Sequence, residues 1–417
     1  MPALPLTARR IMDRCDSLAR HSEQPGQLTR VFLSREHRGA ADEVLGWMRA
    51  AGMQAHMDAI GNVIGRYEGT AAGLPALLLG SHLDTVRDAG RYDGMLGVVT
   101  AIECVQAFAD TGRRFPFAIE IAGFGDEEGV RFGTTLLGSR ALAGTFDAGT
   151  LEARDRDGVS LGQALHDFGL DPRAIGTAAK RRDELLAYVE LHIEQGPVLE
   201  ALDLPVGVVT AINGFSRLRV ELNGLAGHAG TVPMHLRHDA LAGAAQCLLA
   251  IERIAAAVQD LVGTVGRIEA SPGAINVIPG RVSFTMDVRS PDDAARSAAV
   301  AAMLEEIHTI AARRQLTVEI ARLQEQDVAR CAPWLMAQLE AAVAAGRHTV
   351  HRLPSGAGHD GMAMQAVADI AMLFVRCRGG ISHNPAEAIT EADALAGATA
   401  LARFIKNFQP PRKVPQP

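Results

Sequence analysis

The segment PALLLGSHLDTVRDAGRYDGMLGV, residues 75–98, decides the fold because an apolar run in it is followed directly by a polar, glycine-containing stretch. Its apolar run, residues 76–79, is typical of a parallel strand buried on both faces. A polar loop follows at once and carries His82, Asp84 and Asp93 among several glycines. Ligands of open α/β sheets bind at the carboxyl ends of such strands. The segment therefore predicts a strand that delivers polar side chains to a site at its end.

The pattern of a strand followed by a polar loop recurs at PFAIEIAGFGDEEG, residues 116–129, after a stretch of helical spacing. Alternating strands and helices predict an α/β domain with a mixed sheet and helices on both of its faces. Beyond residue 212 the predicted order becomes β-α-β-β-α-β, which favours a separate two-layer α/β sandwich inserted in the first domain. The predicted domains are 1–212 and 330–417 for the two segments of the first, and 213–329 for the insertion.

The composition is that of a large globular protein without a basic face. Of the 417 residues 48% are apolar, and the net charge of −7 gives no support for nucleic-acid binding. No apolar run approaches the ~20 residues that cross a bilayer, and the first residues lack the apolar core of a signal peptide. The five cysteines form no CxxC pair and predict buried free thiols in a reducing compartment. We therefore expect a cytoplasmic protein whose partners are neither nucleic acids nor membranes.

Five residues in separate segments are candidate metal ligands, and they are imidazoles and carboxylates without a thiolate. They are His82, Asp93, Glu128, His192 and His383. Asp93 could bridge two cations through its two oxygens. His82 and His192 would then serve one cation, and the remaining two residues the other. Asp84 is well placed to accept an imidazole N–H and so to fix the tautomer of a ligand.

The acidic triplet Asp126-Glu127-Glu128 follows the second predicted strand. Adjacent carboxylates at the end of an apolar strand repel one another unless cations lie nearby. If Glu128 is a ligand, Glu127 points elsewhere and could act as the general base on a metal-activated water. Taken singly, each of these residues has an ordinary structural explanation, and spacing alone does not define the set.

Read in order, the segments resemble the hydantoinase/carbamoylase family of amidohydrolases, within the aminoacylase/carboxypeptidase group of dinuclear metallohydrolases. The resemblance rests on GSHLDTVRDAGRYDGMLGV, DEEGVRFG, LHIEQGPVLE, GLAGHAGTVPM, NVIPG, MDVRS, LPSGAGHDG and GGISHNPAE. It implies that the five candidates bind two divalent metal ions (zinc, or manganese, cobalt or nickel), with Asp93 bridging and Glu127 as the base. It also implies a catalytic domain in two segments and an inserted lid through which the chain forms a homodimer.

The resemblance further implies residues that contact a substrate with a carboxylate beside a ureido group. They are His228, Gln195, Asn276, Arg289, Gly358 and His359. A carboxylate favours an arginine fork, which Arg289 would supply with Asn276 as its polar partner. His228 would polarise the scissile carbonyl as a catalytic residue, and Gln195 would contact the ureido group. The last two lie in a glycine-rich loop that could offer backbone N–H groups to an anion.

The predicted function is hydrolysis of the linear ureido C–N bond of allantoate or an N-carbamoyl-L-amino acid, with release of CO2 and ammonia. Two other interpretations stay open. A dipeptidase or aminoacylase on the same scaffold would cleave a peptide or acyl amide instead. A non-catalytic binding protein would keep the metal site without turnover. A nucleotide-binding protein is disfavoured because neither glycine-containing loop has the lysine and spacing of a P-loop.

Overall fold

The computed structural model describes residues 4–411, and the chain divides into two compact units. The first unit comprises Met1–Thr210, Arg330–Leu353 and Ala357–Pro417, and the second comprises Ala211–Ala329 and Pro354–Gly356.

Strands and helices alternate through much of the chain. The strands are β1 (Gln54–Met57), β2 (Val63–Tyr67), β3 (Ala76–His82), β4 (Ala118–Phe124), β5 (Leu185–Ile193), β6 (Val206–Ile212), β7 (Gly214–Asn223), β8 (Gly227–His228), β9 (Val262–Thr264), β10 (Ile268–Ser271), β11 (Val277–Ile278), β12 (Arg281–Ser290), β13 (Thr317–Gln326), β14 (Ala329–Arg330), β15 (Arg352–Ser355) and β16 (Ile370–Val375). The helices are α1 (Ala8–Leu18), α2 (Arg35–Ala50), α3 (Met95–Asp110), α4 (Leu137–Leu142), α5 (Leu161–Asp167), α6 (Val198–Ala201), α7 (Ala240–Ala256), α8 (Asp293–Arg313), α9 (Pro333–Ala345), α10 (Gly361–Met364) and α11 (Glu391–Asn407).

The first unit is built on a nine-stranded mixed sheet in the order β1-β2-β4-β3-β5-β16-β6-β14, with β15 paired to β6. The four central strands β4, β3, β5 and β16 are parallel, whereas β1, β2 and β6 pair antiparallel. Every residue of β3 and β4 is buried, as expected for parallel strands covered on both faces. The mixed α/β fold predicted from the alternation of strands and helices is confirmed.

The parallel strands end together at one edge of this sheet. His82, the last residue of β3, pairs in register with Phe124 at the end of β4. His192, near the end of β5, pairs with Phe374 of β16. The loops that follow these strands therefore begin side by side, where side chains from remote segments can meet. Helix α3 begins directly after one of these loops, with Gly94 as its N-cap.

The second unit contains a five-stranded antiparallel sheet in the order β10-β12-β7-β13, with β9 paired to β12. Side chains along β12 alternate between buried and more exposed, as in a sheet with one covered face. The buried side chains of β7 and β12 share one apolar core with α7 and α8. This is the two-layer α/β sandwich that the sequence predicts. Strands β8 and β11 form a separate two-stranded ribbon.

Three further features of the fold compare with what the sequence predicts. The sequence predicts a loop over residues 353–361, but β15 occupies its first part, because Leu353 and Ser355 are buried and the strand pairs with β6. All five cysteines are buried and free, as predicted. In the part of the chain that the structure describes, no helix is long and apolar enough to cross a membrane.

Candidate metal centre

The structure brings all five candidate ligands together around the carboxylate of Asp93. Its Oδ1 lies 3.4 Å from Nε2 of His82 and 3.2 Å from Nε2 of His192. Its Oδ2 lies 3.3 Å from Nε2 of His383, which is 3.4 Å from Oε1 of Glu128. Two triplets of ligand atoms therefore share Asp93, and each takes one of its oxygens.

These separations fit two divalent cations. Zinc bonds of 2.0–2.1 Å in tetrahedral geometry place ligand atoms roughly 3.3 Å apart. The four distances above span 3.2–3.4 Å. Each triplet would supply three protein ligands and leave a fourth position for water or substrate, which is the pattern of catalytic rather than structural zinc sites.

Backbone hydrogen bonds orient two of the imidazoles for this role. Nδ1 of His82 lies 3.0 Å from the carbonyl oxygen of Asp84, and Nδ1 of His192 lies 2.9 Å from that of Ile193. A carbonyl oxygen only accepts, so each Nδ1 carries the proton and each Nε2 keeps its lone pair. On His192 this assignment agrees with the N–H of Gly94, which donates to Nε2 at 3.1 Å.

The carboxylate of Asp84 holds the acidic loop, and the carbonyl oxygen of Asp84 is the group that binds the His82 imidazole. Its carboxylate accepts the backbone N–H groups of Glu127 (3.1 Å) and Glu128 (3.2 Å). The nearest carboxylate oxygen is 3.7 Å from Nδ1 of His82, so only the backbone carbonyl of Asp84 is within hydrogen-bond reach. The predicted acceptor, the Asp84 carboxylate, was therefore wrong, because that carboxylate already binds the loop after β4.

The site concentrates buried negative charge. Burial, with the nearby charge of Asp93, raises the pKa of Glu128 to about 7. Burial raises the pKa of Glu127 well above its ordinary value, and Glu128 adds to the effect. Asp126 is fully buried, and within residues 4–411 neither of its carboxylate oxygens has a hydrogen-bond partner. Carboxylates crowded in this way are stabilised by cations, so the charge of the site also fits metal binding.

Three residues of the site have unusual backbone conformations. Asp126, Gln195 and His383 have φ values of +62°, +58° and +54°, in the left-handed region that side chains other than glycine seldom occupy. Such conformations cost on the order of 1–3 kcal/mol each and concentrate at functional sites. Seven other non-glycine residues of the described chain also have positive φ, so these conformations accompany the site but do not define it.

The remaining predicted contacts of the first unit lie next to the candidate metal ligands. Nε2 of Gln195 donates to Oδ2 of Asp93 (2.9 Å), and Oε1 of Gln195 is buried with no hydrogen-bond partner among the described residues. A Cβ on Gly358 would lie 3.6 Å from Oε1 of Glu127, so this backbone adjoins the predicted base. His359 is buried, and its ring packs edge-on against His192 at a centroid distance of 4.6 Å.

Arg289 lines a cavity of about 560 Å³ in the second unit, with Arg217 and Asp287. Its guanidinium binds Asp287 through Nε (3.0 Å) and Nη2 (2.9 Å), and its Nη1 donates to the carbonyl oxygen of Gly356 (2.8 Å). Arg217 binds the same carboxylate at 3.1 Å. The cluster carries one net positive charge, so it can still attract an anionic group.

His228 lies on the short ribbon of β8 and β11, and Asn276 directly precedes β11. The N–H of Ala229 donates to the carbonyl oxygen of Asn276 at 3.0 Å, and both predicted side chains are exposed. The N–H of Gly230 donates to Nδ1 of His228 at 3.0 Å. The neutral imidazole therefore carries its proton on Nε2, from which it can donate to a ligand.

Three residues around the candidate sites have no place among the predicted contacts: Ser382, Glu387 and Asp287. The first two hydrogen-bond the loop of Asp93, and the third occupies the fork of Arg289. Glu387 ends the segment GGISHNPAE, so an acidic residue four positions after a ligand histidine was the available signal. No sequence pattern indicates Asp287, because an Asp-x-Arg pair on a strand is ordinary.

The fold and the site define a hydrolase built on an α/β scaffold with a candidate two-cation centre. The chain belongs to the peptidase family M20/M25/M40, whose model matches residues 78–407. The resemblance found in the sequence is thereby confirmed, since the relatives below are carbamoylases, allantoate deiminases and amidases.

Two relatives and one solved structure match over at least four-fifths of their length. The N-carbamoyl-L-amino acid amidohydrolase of Geobacillus stearothermophilus is 42% identical over 397 residues, covering 95% of this chain and 97% of that protein. The allantoate deiminase of Arabidopsis thaliana is 39% identical, covering 94% and 81%. The crystal structure of a hydantoinase/carbamoylase family amidase from Burkholderia multivorans superposes with a TM-score of 0.91 at 32% identity, covering 97% and 98%. The family's members with these names act on C–N amide bonds outside peptides.

Proposed function

We propose that this protein hydrolyses the linear ureido C–N bond of a small carboxylate-bearing substrate, either an N-carbamoyl-L-amino acid or allantoate, and releases CO2 and ammonia. The observation that carries the proposal is the Asp93 carboxylate, whose two oxygens each meet a separate set of nitrogen and oxygen ligand atoms. The names of the relatives support the choice of substrate class.

Two divalent cations, zinc or else manganese, cobalt or nickel, would be held by the two triplets. His82, His192 and Oδ1 of Asp93 would hold one, and Glu128, His383 and Oδ2 of Asp93 the other. Bound there, the cations would supply a water of lowered pKa and polarise the substrate carbonyl.

Glu127 would take a proton from the attacking water and return it to the leaving nitrogen. A carboxylate oxygen of Glu127 lies within 4.8 Å of an imidazole nitrogen of His82 and of a carboxylate oxygen of Glu128, but Glu127 belongs to neither triplet that shares Asp93. Burial raises the pKa of Glu127, which makes its carboxylate a stronger proton acceptor than an exposed one. The N–H of Glu127 is held by Asp84, so the position of its backbone is fixed.

The substrate contacts are assigned by the chemistry of each donor or acceptor. His228 would donate from Nε2 to the scissile carbonyl oxygen, and the unpartnered Oε1 of Gln195 would accept a ureido N–H. Arg289, with Asn276, would bind the carboxylate. Because Asp287 already occupies two guanidinium nitrogens of Arg289, the substrate would have to share or displace that carboxylate.

Two further properties are part of the proposal. Exposed apolar side chains of the second unit, including Met234 at 77% and Ile275 at 104% relative exposure, support a homodimer formed through that unit. Light scattering would then give twice the mass of the chain. Five free thiols support a cytoplasmic location.

The substrate class is tested by measuring ammonia release from N-carbamoyl-L-amino acids and allantoate, with dipeptides and N-acetyl amino acids as controls, in zinc, manganese, cobalt and nickel. We expect ammonia from at least one ureido compound and slower cleavage of the controls. Faster cleavage of a dipeptide or an acetyl amino acid would identify the protein as a peptidase or aminoacylase instead.

The role of Glu127 is tested with a matched pair, Glu127→Gln and Glu128→Gln. Loss of the base should lower turnover by about 10²–10⁴-fold while metal content stays at the wild-type level. Loss of the ligand Glu128 should lower metal content as well. Wild-type turnover in Glu127→Gln, or equal metal loss in both variants, would remove Glu127 from the role of base.

A further inference from the structure

Glu387 is a buried carboxylate that makes no direct contact with the proposed cation positions, yet it binds the loop on which Asp93 lies. Its Oε1 accepts the backbone N–H of Tyr92 at 2.8 Å and that of Asp93 at 3.2 Å. The residue is 4% exposed and stands 294 positions after Asp93 in the chain. Glu387 therefore links its own segment to the backbone of Asp93, the residue proposed to bind both cations.

The hydroxyl of Ser382 lies between the other carboxylate oxygen of Glu387 and the side chain of Asp93. Oγ of Ser382 lies 3.0 Å from Oε2 of Glu387 and 2.7 Å from Oδ2 of Asp93. A hydroxyl has a single proton, so it donates to one of these carboxylates at a time. The two backbone bonds to Oε1 do not depend on that proton and hold the loop in either case.

A local turn returns Glu387 to this position. Oδ1 of Asn384 accepts the N–H of Ala386 at 2.9 Å, and the carbonyl oxygen of Asn384 accepts the N–H of Glu387 at 3.0 Å. The turn follows directly on His383, whose φ is +54°. The segment that presents His383 as a ligand is thus the segment that Glu387 anchors.

Close packing leaves the carboxylate little freedom. A Cβ on Gly90 would lie 2.2–2.3 Å from three side-chain atoms of Glu387. Only glycine at position 90 lets the loop lie against the carboxyl group, so the loop and the carboxylate fix one another.

We propose that Glu387 is a positioning residue that sets the place of the bridging Asp93 relative to His383, by binding the Asp93 loop through the N–H groups of Tyr92 and Asp93. The inference rests on the proposed two-cation centre. It assigns to Glu387 a function in metal binding that acts through hydrogen-bond acceptance at a fixed distance.

The test is titration of the metal-free full-length chain with Co²⁺, followed by its visible absorption and by competition with a chelator. Removal of a residue that orients metal ligands lowers metal affinity by about 10–100-fold. We expect a loss of that size in Glu387→Ala. Glu387→Gln keeps an acceptor oxygen at the same reach and should remain within about threefold of wild type by the same argument.

Two variants separate positioning from general stability. Glu387→Asp keeps the charge but shortens the side chain, so it should bind Co²⁺ as weakly as Glu387→Ala. Glu103 is a control, because it is a fully buried carboxylate that also accepts a remote backbone N–H, that of Thr7 at 2.9 Å. Glu103→Ala should lower the melting temperature while leaving Co²⁺ affinity unchanged.

Wild-type Co²⁺ affinity in Glu387→Ala or in Glu387→Asp would overturn the proposal, and so would a Glu387→Gln variant as weak as Glu387→Ala. If Glu387→Ala does not fold, the opposite results expected for Glu387→Asp and Glu387→Gln still decide the question. A wild-type chain that binds no Co²⁺ would overturn the two-cation centre and this inference together. A wild-type chain that binds two Co²⁺ ions alongside an unaffected Glu387→Ala would overturn this inference alone.

Discussion

Replacing Gly94 with alanine should weaken metal binding without removing any candidate ligand, because the added methyl group would displace the His82 ring. Gly94 has φ +78° and ψ −56° and links Asp93 to helix α3. A Cβ built there lies 2.6 Å from Cε1, Nδ1 and Nε2 of His82. Ordinary contact between such atoms requires roughly 3.5–4.0 Å, so the imidazole or the loop must move by about 1 Å.

Neither group can move freely. His82 is 1% exposed, and its Nδ1 is bound to the carbonyl oxygen of Asp84. The backbone strain at position 94 costs about 1–3 kcal/mol, and overpacking of the buried ring costs a similar about 1–3 kcal/mol. We therefore expect Gly94→Ala to lower the free energy of unfolding by about 2–6 kcal/mol in total.

Gly94→Ala should lower the affinity for metal more than it lowers the free energy of unfolding. Metal–ligand distances tolerate changes of about 0.2 Å, which is several times smaller than the displacement forced on His82. We expect Gly94→Ala to lower affinity for zinc by at least ~10–100-fold, as for loss of an orienting contact. Urea denaturation of the metal-free protein and competition with a chromophoric chelator measure the two effects separately.

Gly112→Ala is the matched control. Gly112 follows the other end of α3 with φ +64°, and no other atom of the described chain, beyond its sequence neighbours, lies within 4 Å of a Cβ built there. It should lose only the cost of the left-handed conformation, about 1–2 kcal/mol, with zinc affinity unchanged. Wild-type zinc affinity in Gly94→Ala, or an equal loss of affinity in Gly112→Ala, would refute the reasoning.

Two further predictions concern substrate binding and acid stability. Arg289→Lys loses the bidentate guanidinium fork, so KM for a ureido acid should rise by about 10–100-fold while kcat changes little, as expected for loss of a charged hydrogen bond. An unchanged KM in steady-state kinetics would contradict carboxylate binding by Arg289. Burial lowers the pKa of the fully buried His37 imidazole to about 3, from an ordinary 6.5, so the folded state keeps it neutral while the unfolded state takes up a proton. The free energy of unfolding should therefore fall as pH drops from 6.5 towards 3, by up to about 1.4 kcal/mol per pH unit from this group, and urea denaturation of His37→Gln with an undiminished acid slope would exclude His37 as the cause.

The positions of the candidate ligands followed from the sequence because they depend on a simple rule. The apolar runs that precede His82 and the Asp126-Glu127-Glu128 triplet predict parallel strands, and parallel strands deliver the residues that follow them to one edge. The sequence also predicted that His383 and Glu128 serve one cation, whereas the order of the strands in the sheet depends on tertiary packing. The resemblance to a known family, more than spacing, joined the segments into one site.

Other features could not be predicted because they depend on backbone groups rather than on residue types. The carboxylate of Asp84 binds two amide groups of the acidic loop, and any polar loop there could have offered them. The contact of Glu387 with the Asp93 loop joins segments whose proximity only the fold reveals. The pairing of Asp287 with Arg289 has a different reason, because an Asp-x-Arg pair on one face of a strand is too common to single out.

The most direct test of the central claim is the number of divalent ions bound per chain in wild type and in Asp93→Ala, His192→Ala and His383→Ala. A carboxylate shared between two sites predicts two zinc ions in wild type, one in each histidine variant, and loss of tight binding at both sites in Asp93→Ala. Elemental analysis after dialysis against a weak chelator would give these values. A single ion in wild type, or one tightly held ion remaining in Asp93→Ala, would contradict the shared ligand.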